Sequence, residues 1–270
     1  MKLHRRRLLG IAAIILSCWL TSAPSTAPAA DDGWITLFDG QTLKGWHKNP
    51  ARIGHGTGGQ WTVEDGAIVG QQDPPGSGNG GILLTDRKFG DFELVIDLKP
   101  DWGPDSGLFL RANDRGQCFQ MMVDYHDDGN VGHIYGEGVG GFNNRPFVIN
   151  GILEGGKLAG FKSKDSGLKV PKAYSCSGDD WIKAWKIGDW NTARVRVEGG
   201  KYPKITTWIN DRKVSEFDAA TYDGPSYDKE KVAAALGTEG SIAVQVHGGT
   251  GWPKGAVCRW KNIKIKPLGE

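Results

Sequence analysis

The chain has 270 residues, with 33 Lys and Arg against 31 Asp and Glu and a formal net charge of +2. Lys2, Arg5, Arg6 and Arg7 hold four of the positive charges, so the remainder carries −2 and has no basic stripe of the kind a nucleic-acid partner requires. The 41 Gly and 11 Trp show no collagen period, and point to short strands joined by tight turns.

Residues 1–29 have the form of a signal peptide. A basic start is followed by an apolar run, Leu8 to Leu20, that is short for a bilayer span, and Ala27-Pro28-Ala29 offers a small-residue cleavage site. Arg5-Arg6-Arg7-Leu8-Leu9 also resembles a twin-arginine export signal, whereas Leu16 makes Ile15 to Cys18 a poor lipoprotein box. The expectation is an exported protein, periplasmic or secreted, with no transmembrane segment after cleavage. Residues 30–270 suit one all-β sandwich domain. Cys118, Cys176 and Cys258 allow one disulfide or none, and no CxxC spacing suggests zinc.

The first strands are short and punctuated. Ile35 to Phe38 precede an Asp-Gly turn, and Trp61-Thr62-Val63 and Ile68-Val69 flank another at Asp65-Gly66, a hairpin signal. Pro74 to Gly81 is a loop. Asp91 to Lys99 alternates cleanly, with Phe92, Leu94, Ile96 and Leu98 inward and Glu93, Val95, Asp97 and Lys99 outward. Ser106 to Arg111 continues the alternation, and places Arg111 on a face with Gly107 and Phe109.

The most heavily equipped stretch is Cys118 to Gly138. Phe119, Met121, Val123 and Tyr125 form one strand face, and Gln120, Met122, Asp124 and His126 the other. The turn Asp127-Asp128-Gly129-Asn130 then returns His133 and Tyr135 to the same neighbourhood. Asp124 and His126, two residues apart on one strand face, can offer two ligands to a divalent metal ion, with His247 or His133 as a third. Gly138 to Gly188 has little pattern and is expected to be a long, partly structured excursion. Strands resume at Asn191 to Glu198, Ile205 to Asn210 and Lys213 to Phe217. Asp228 to Leu236 is the one convincing helix, and Ser241 to His247 and Cys258 to Pro267 are the last strands. Trp46, Trp61, Trp102 and Trp252 lie near glycine loops; burial in the sandwich suits most of them, and stacking on a sugar ring is the other use of an indole there.

The series LFDGQTLKGW, WTVEDGAIVG, GDFELVIDLKP, DSGLFLRAN, FQMMVDYHDDG, GHIYGEG, SIAVQVHGG and CRWKNIKIKPL resembles the 3-keto-disaccharide hydrolase domain family over nearly all of Trp34 to Leu268. The resemblance implies a concanavalin A-like jelly roll, and an exported enzyme acting on glycosides oxidised to a ketone at carbon 3. The family's Asn-Ser-Gly stands here as Asp105-Ser106-Gly107. Its Tyr-Glu-x-Gln-Val-x-Asp strand keeps Asp124 but has Gln120 in place of Glu, and its Gln-Asp-His-Gly becomes Gln245-Val246-His247-Gly248. Phe142 to Ile187 has no counterpart in the family pattern.

A ketone at carbon 3 acidifies the proton on carbon 2, so cleavage needs a base and a donor or metal at the developing oxyanion. Asp124, His247 and His133 are the expected catalytic groups, Arg111, Gln120, Tyr135, Gln245 and Asp97 the expected substrate contacts, and His126 a metal ligand. Asp97, Arg111, Asp124 and His247 should then converge on one side of one sheet. The residues alone leave open hydrolysis, elimination followed by hydration, or a non-catalytic sugar-binding module on the same fold.

Overall fold

A computed structural model describes residues 32–140, 142–170 and 174–269; the expected signal peptide lies outside them. Strands and helices are numbered along the chain. An eight-stranded antiparallel sheet runs in the order β14 (Arg212–Asp218), β13 (Lys204–Ile209), β12 (Asn191–Glu198), β6 (Phe92–Leu98), β16 (Cys258–Pro267), β4 (Ala67–Gln71), β3 (Gln60–Glu64), with β1 (Ile35–Thr36) also on β16. A six-stranded antiparallel sheet runs β2 (Trp46–Lys48), β5 (Gly81–Phe89), β15 (Gly240–Val246), β7 (Gly107–Ala112), β8 (Cys118–Val123), β9 (Val131–Glu137). The crossovers between sheets make a jelly-roll sandwich.

Period-two alternation builds the core between the sheets. Phe92, Leu94, Ile96 and Leu98 of β6 meet Leu108 and Leu110 of β7, Phe119, Met121 and Val123 of β8, and Val244 and Val246 of β15, all buried in one cluster. Burying each such side chain contributes about 1.5–3 kcal/mol. The opposite face of the six-stranded sheet is also covered: Ile82, Leu84, Phe109, Cys118 and Ala243 pack there, with Ile53 against them. The expected polar face of β8 is therefore an enclosed wall rather than a solvated one.

The excursion is more ordered than its sequence suggests. It contains the hairpin β10 (Phe147–Glu154) and β11 (Lys157–Asp165), and a helix, α1 (Gly178–Ala184), that the sequence reading does not anticipate. Ser177 caps α1 by accepting from the Asp180 amide, and Trp181 and Trp185, one turn apart, stack at 5.1 Å. The seven residues of α1 hold one indole, Trp181, with Trp185 as the C-cap, too short a segment to show a helical period, which is why the sequence hides the helix. The expected helix is α2 (Lys229–Leu236), with Asp228 as its N-cap. The three cysteines among the described residues are free and buried. No helix among these residues is long and apolar enough to cross a membrane.

Candidate active site

The antiparallel register places residues of β15, β7, β8 and β9 side by side on the outer face of the six-stranded sheet. Gly107 pairs with Met122, Phe109 with Gln120, and Gln120 with Tyr135. At this face a hollow of about 210 Å³ is lined by Asp105, Gln120, Met122, Asp124, Tyr135, Glu137, Asn143, Arg145 and His247. A larger hollow of about 680 Å³ adjoins it, walled by Trp102, His126, Asp127, Thr250, Trp252 and Pro253, among others. Asp105 and His247 line both.

Asp105, Asp124 and His126 each present a ligand atom, all within 4.8 Å of one another. Asp124 is buried at the end of β8, and its Oδ1 has no hydrogen-bond partner among the described residues. Burial, reinforced by the negative charge of Asp105, pushes its carboxyl well above the ordinary range. Burial also opposes ionisation of Asp105, but the His126 side chain and the positive fields of His247 and His126 outweigh it and hold that carboxyl low. His126 is shifted upward, chiefly by Asp105. Its Nδ1 lies 2.7 Å from the Asp127 carbonyl, which can only accept, so Nδ1 carries the hydrogen and Nε2 turns to Asp105 Oδ2 at 3.9 Å.

His247 follows β15 and is oriented the same way. Its Nδ1 donates to the Gly248 carbonyl at 2.5 Å, which leaves Nε2 as the basic nitrogen. His55, buried in the loop before β3, packs edge-on against the His247 ring at 4.7 Å and places Nε2 3.4 Å from Glu137 Oε1. Behind them Gln120 Nε2 donates to Gln245 Oε1 at 3.2 Å, and Gln245 Nε2 lies 3.1 Å from His55 Nε2. Gln120 crosses Gly107 so closely that a Cβ there would lie 2.3 Å from its Nε2. Arg145 brings a cation to the hollow, and its Nε is buried without a partner among the described residues.

The chain matches one family over residues 33–266, nearly the whole described span. It belongs to the 3-keto-alpha-glucoside-1,2-lyase-like domain family. A relative from Bacteroides thetaiotaomicron named 3-keto-disaccharide hydrolase is 29% identical over 267 residues, covering 89% of this chain and 80% of the relative. A Parabacteroides distasonis crystal structure, provisionally described as a glycosyl hydrolase, superposes with TM-score 0.50 at 23% identity, covering 87% of this chain and 99% of that one. A second structure from the same organism, described in the same way, gives 0.47 at 20% identity, covering 88% and 95%.

Of the residues nominated from sequence, the family fold brings Asp124, Gln120, Tyr135 and His247 to the smaller hollow and His126 to the larger one. Gln245 stands directly behind them. Three others lie elsewhere. Asp97 sits on β6 in the other sheet, accepting from Thr192 and Asn262 at 2.6 and 2.7 Å. Arg111 lies beyond a bulge, where Ser241 pairs with Ala112 but Ala243 with Phe109; its φ of 54° turns the side chain off the shared face. It is buried instead against Asp91 at 2.5 Å and the carbonyls of Gly90 and Gly200. His133 is sealed under the excursion: its Nδ1 donates to Asn130 Oδ1 at 3.0 Å, and its Nε2 lies 2.8 Å from Ser175 Oγ. Both nitrogens are occupied, so it cannot take a substrate proton, and burial drives its pKa down to about 3. The expected convergence of Asp97, Arg111, Asp124 and His247 therefore does not occur.

Sequence reasoning missed Glu137 and Arg145 as wall residues and His55 as the ring packed on His247, and treated Asp105 only as a motif counterpart. Glu137 lay two residues beyond Tyr135 on the same strand face, a usable signal. Arg145 and His55 come from irregular segments and had none. Trp46, Trp61 and Trp252 are buried, the first two with indoles donating to the Leu37 and Gly58 carbonyls; Trp252 and the half-buried Trp102 border the larger hollow.

Proposed function

We propose that this protein is an exported carbohydrate-active enzyme that cleaves glycosides carrying a ketone at carbon 3, beginning with removal of the proton on carbon 2. The observation that carries the reading is His247, whose basic Nε2 belongs to the hollow that also holds Asp105, the buried Asp124 and the Arg145 guanidinium. An ordinary glycosidase needs carboxyl groups facing each other across the scissile bond. Asp105, Asp124 and His126 instead cluster at one point.

His247 takes the proton from carbon 2 as the carbon 1 to oxygen bond breaks and a carbon 1 to carbon 2 double bond forms. The imidazolium can return that proton to the departing oxygen, because His247 borders both hollows. Water then adds across the unsaturated ketone to give the free 3-keto sugar. Arg145 and the Tyr135 hydroxyl are positioned as donors to the negative charge that develops on the ketone oxygen. His55, packed on His247 and facing Glu137, restrains the base.

The donor set also fits a divalent cation, because the Asp124 Oδ1 lacks a hydrogen-bond partner among the described residues and two carboxylates with an imidazole nitrogen converge there. Asp105, Asp124 and His126 would hold it, and it would supply Lewis-acid polarisation of the ketone. The family match and the name of the Bacteroides relative support the substrate class.

The test is turnover of a 3-keto glucoside by wild type, His247→Gln and Asp124→Asn, each with and without chelator, following product mass and enone absorbance. Both variants should lose about a hundredfold to ten-thousandfold in kcat, and chelation should lower wild-type turnover. Undiminished turnover in both variants would remove these residues from the mechanism; sugar binding without wild-type turnover would make the protein a sugar-binding module. Export rests on residues 1–29, and a secreted chain that still began at Met1 would contradict it.

A further inference from the structure

We propose that the excursion is the positioning element for the Asp105, Asp124 and His126 cluster, and that Asp127 is the residue through which it orients the His126 ring. The use of that cluster to hold a cation is the reading given above, which this inference deepens and rests on.

The turn that carries His126 is gripped by the excursion at four consecutive residues. Gly151 of β10 donates its amide hydrogen to Asp127 Oδ1 at 2.9 Å. Lys164 of β11 pairs with Asp128 Oδ1 at 2.6 Å. The Ile149 amide donates to the Gly129 carbonyl at 2.9 Å, and the buried Asn130 donates from Nδ2 to the Phe147 carbonyl at 2.9 Å. The residue before His126 is held as well. Tyr125 accepts a hydrogen bond from Trp185, the C-cap of α1, at 3.0 Å. It also packs edge-on against Trp102, which lies so close to Gly151 that a Cβ there would fall 2.7 Å from its Cζ2.

These grips reach the cluster by short paths. Asn130 returns its carbonyl to the Asp124 amide at 3.0 Å, so one residue bonded to β10 also fixes the backbone of a cluster carboxylate. The Asp127 carbonyl accepts the His126 Nδ1 hydrogen at 2.7 Å, and the Asp127 side chain is tied to β10. The direction of that carbonyl, and with it the tautomer that leaves Nε2 free, is therefore set from the excursion. A ligating imidazole ordinarily has its second nitrogen anchored to a carbonyl or carboxylate in this way, and loss of the anchor costs about tenfold to a hundredfold in metal affinity. The exposed pair of Lys164 and Asp128 contributes little by comparison. Asp127 is singled out because, of the four gripped residues, it carries the acceptor of the His126 ring.

The experiment titrates wild type, Asp127→Ala and Asp127→Asn, each stripped by chelator, with Mn²⁺ by calorimetry, and follows the His126 ring nitrogens by nitrogen NMR above the titration range of the ring. Asn keeps a side-chain oxygen for the Gly151 amide but drops the charge, so it separates orientation from the pull of a carboxylate on the cation. Asp127→Ala should bind Mn²⁺ about tenfold to a hundredfold more weakly than wild type and lose the single Nδ1-protonated form. Asp127→Asn should keep that form and stay within about threefold of the wild-type affinity, because the lost charge is exposed and screened. Wild-type affinity and tautomer in Asp127→Ala, or equal losses in both variants, would overturn the positioning role. A wild type that binds no Mn²⁺ would remove the cation from the reading above, and the tautomers of the three proteins then decide the positioning role by themselves. Neither readout needs turnover, so a failure of the cleavage chemistry shows separately, in the activity assay.

Discussion

His133 offers a test of the site assignment that needs no substrate. Its ring is wholly buried, and burial lowers its pKa to about 3 from an ordinary value of 6.5. The unfolded chain therefore takes up a proton below pH 6.5 that the folded chain refuses. The associated stability is fully present above pH 6.5 and is lost as the pH falls toward 3, at about 1.4 kcal/mol per unit. Between pH 7.5 and pH 5.0 the loss should amount to about 2 kcal/mol, a sizeable share of a typical total of about 5–15 kcal/mol. His133→Asn removes the titrating group. The variant will be less stable at pH 7.5, because it loses the bonds to Asn130 and Ser175 and leaves a void beside Phe147. Its deficit relative to wild type should then shrink by about 2 kcal/mol at pH 5.0. Urea unfolding followed by tryptophan fluorescence at the two pH values measures both numbers. A deficit that is the same at both, within about 0.5 kcal/mol, would mean that the folded ring accepts a proton and that the buried, doubly bonded assignment is wrong.

Arg111→Met should destabilise the fold by about 1–3 kcal/mol, since it removes the buried donor of the Gly90 and Gly200 carbonyls and takes the cation from Asp91, which keeps the Gly199 and Gly200 amides; kcat per folded molecule should stay within about twofold, and a kcat loss of a hundredfold or more would return Arg111 to the chemistry. Gly248→Ala should lower kcat about a hundredfold through misplacement of His247, because the new Cβ would lie 2.3 Å from the His55 carbonyl oxygen. A variant with wild-type kcat and an unshifted melting temperature would show that the loop before β3 does not brace the base.

Alternation along single strands was enough to define the sandwich core. Phe92, Leu94, Ile96 and Leu98 declared the inner face of β6, and Gln120 and Asp124 the chemically equipped face of β8, because side-chain direction in a strand follows from position alone. The same rule misplaced Arg111, where a bulge breaks the period, and it could not say that Asp97 belongs to the other sheet, since strand order is a tertiary property. His133 and Tyr135 share a strand two residues apart, yet the chain that folds over the first leaves the second at the hollow; only packing of the excursion separates them. The family motifs, read from sequence, marked Asp124 and His247. Their neighbours Arg145 and His55 come from irregular segments, and His55 meets Gln245 across 190 residues. No local period encodes such a meeting, because its position depends on how distant loops close over a finished sheet.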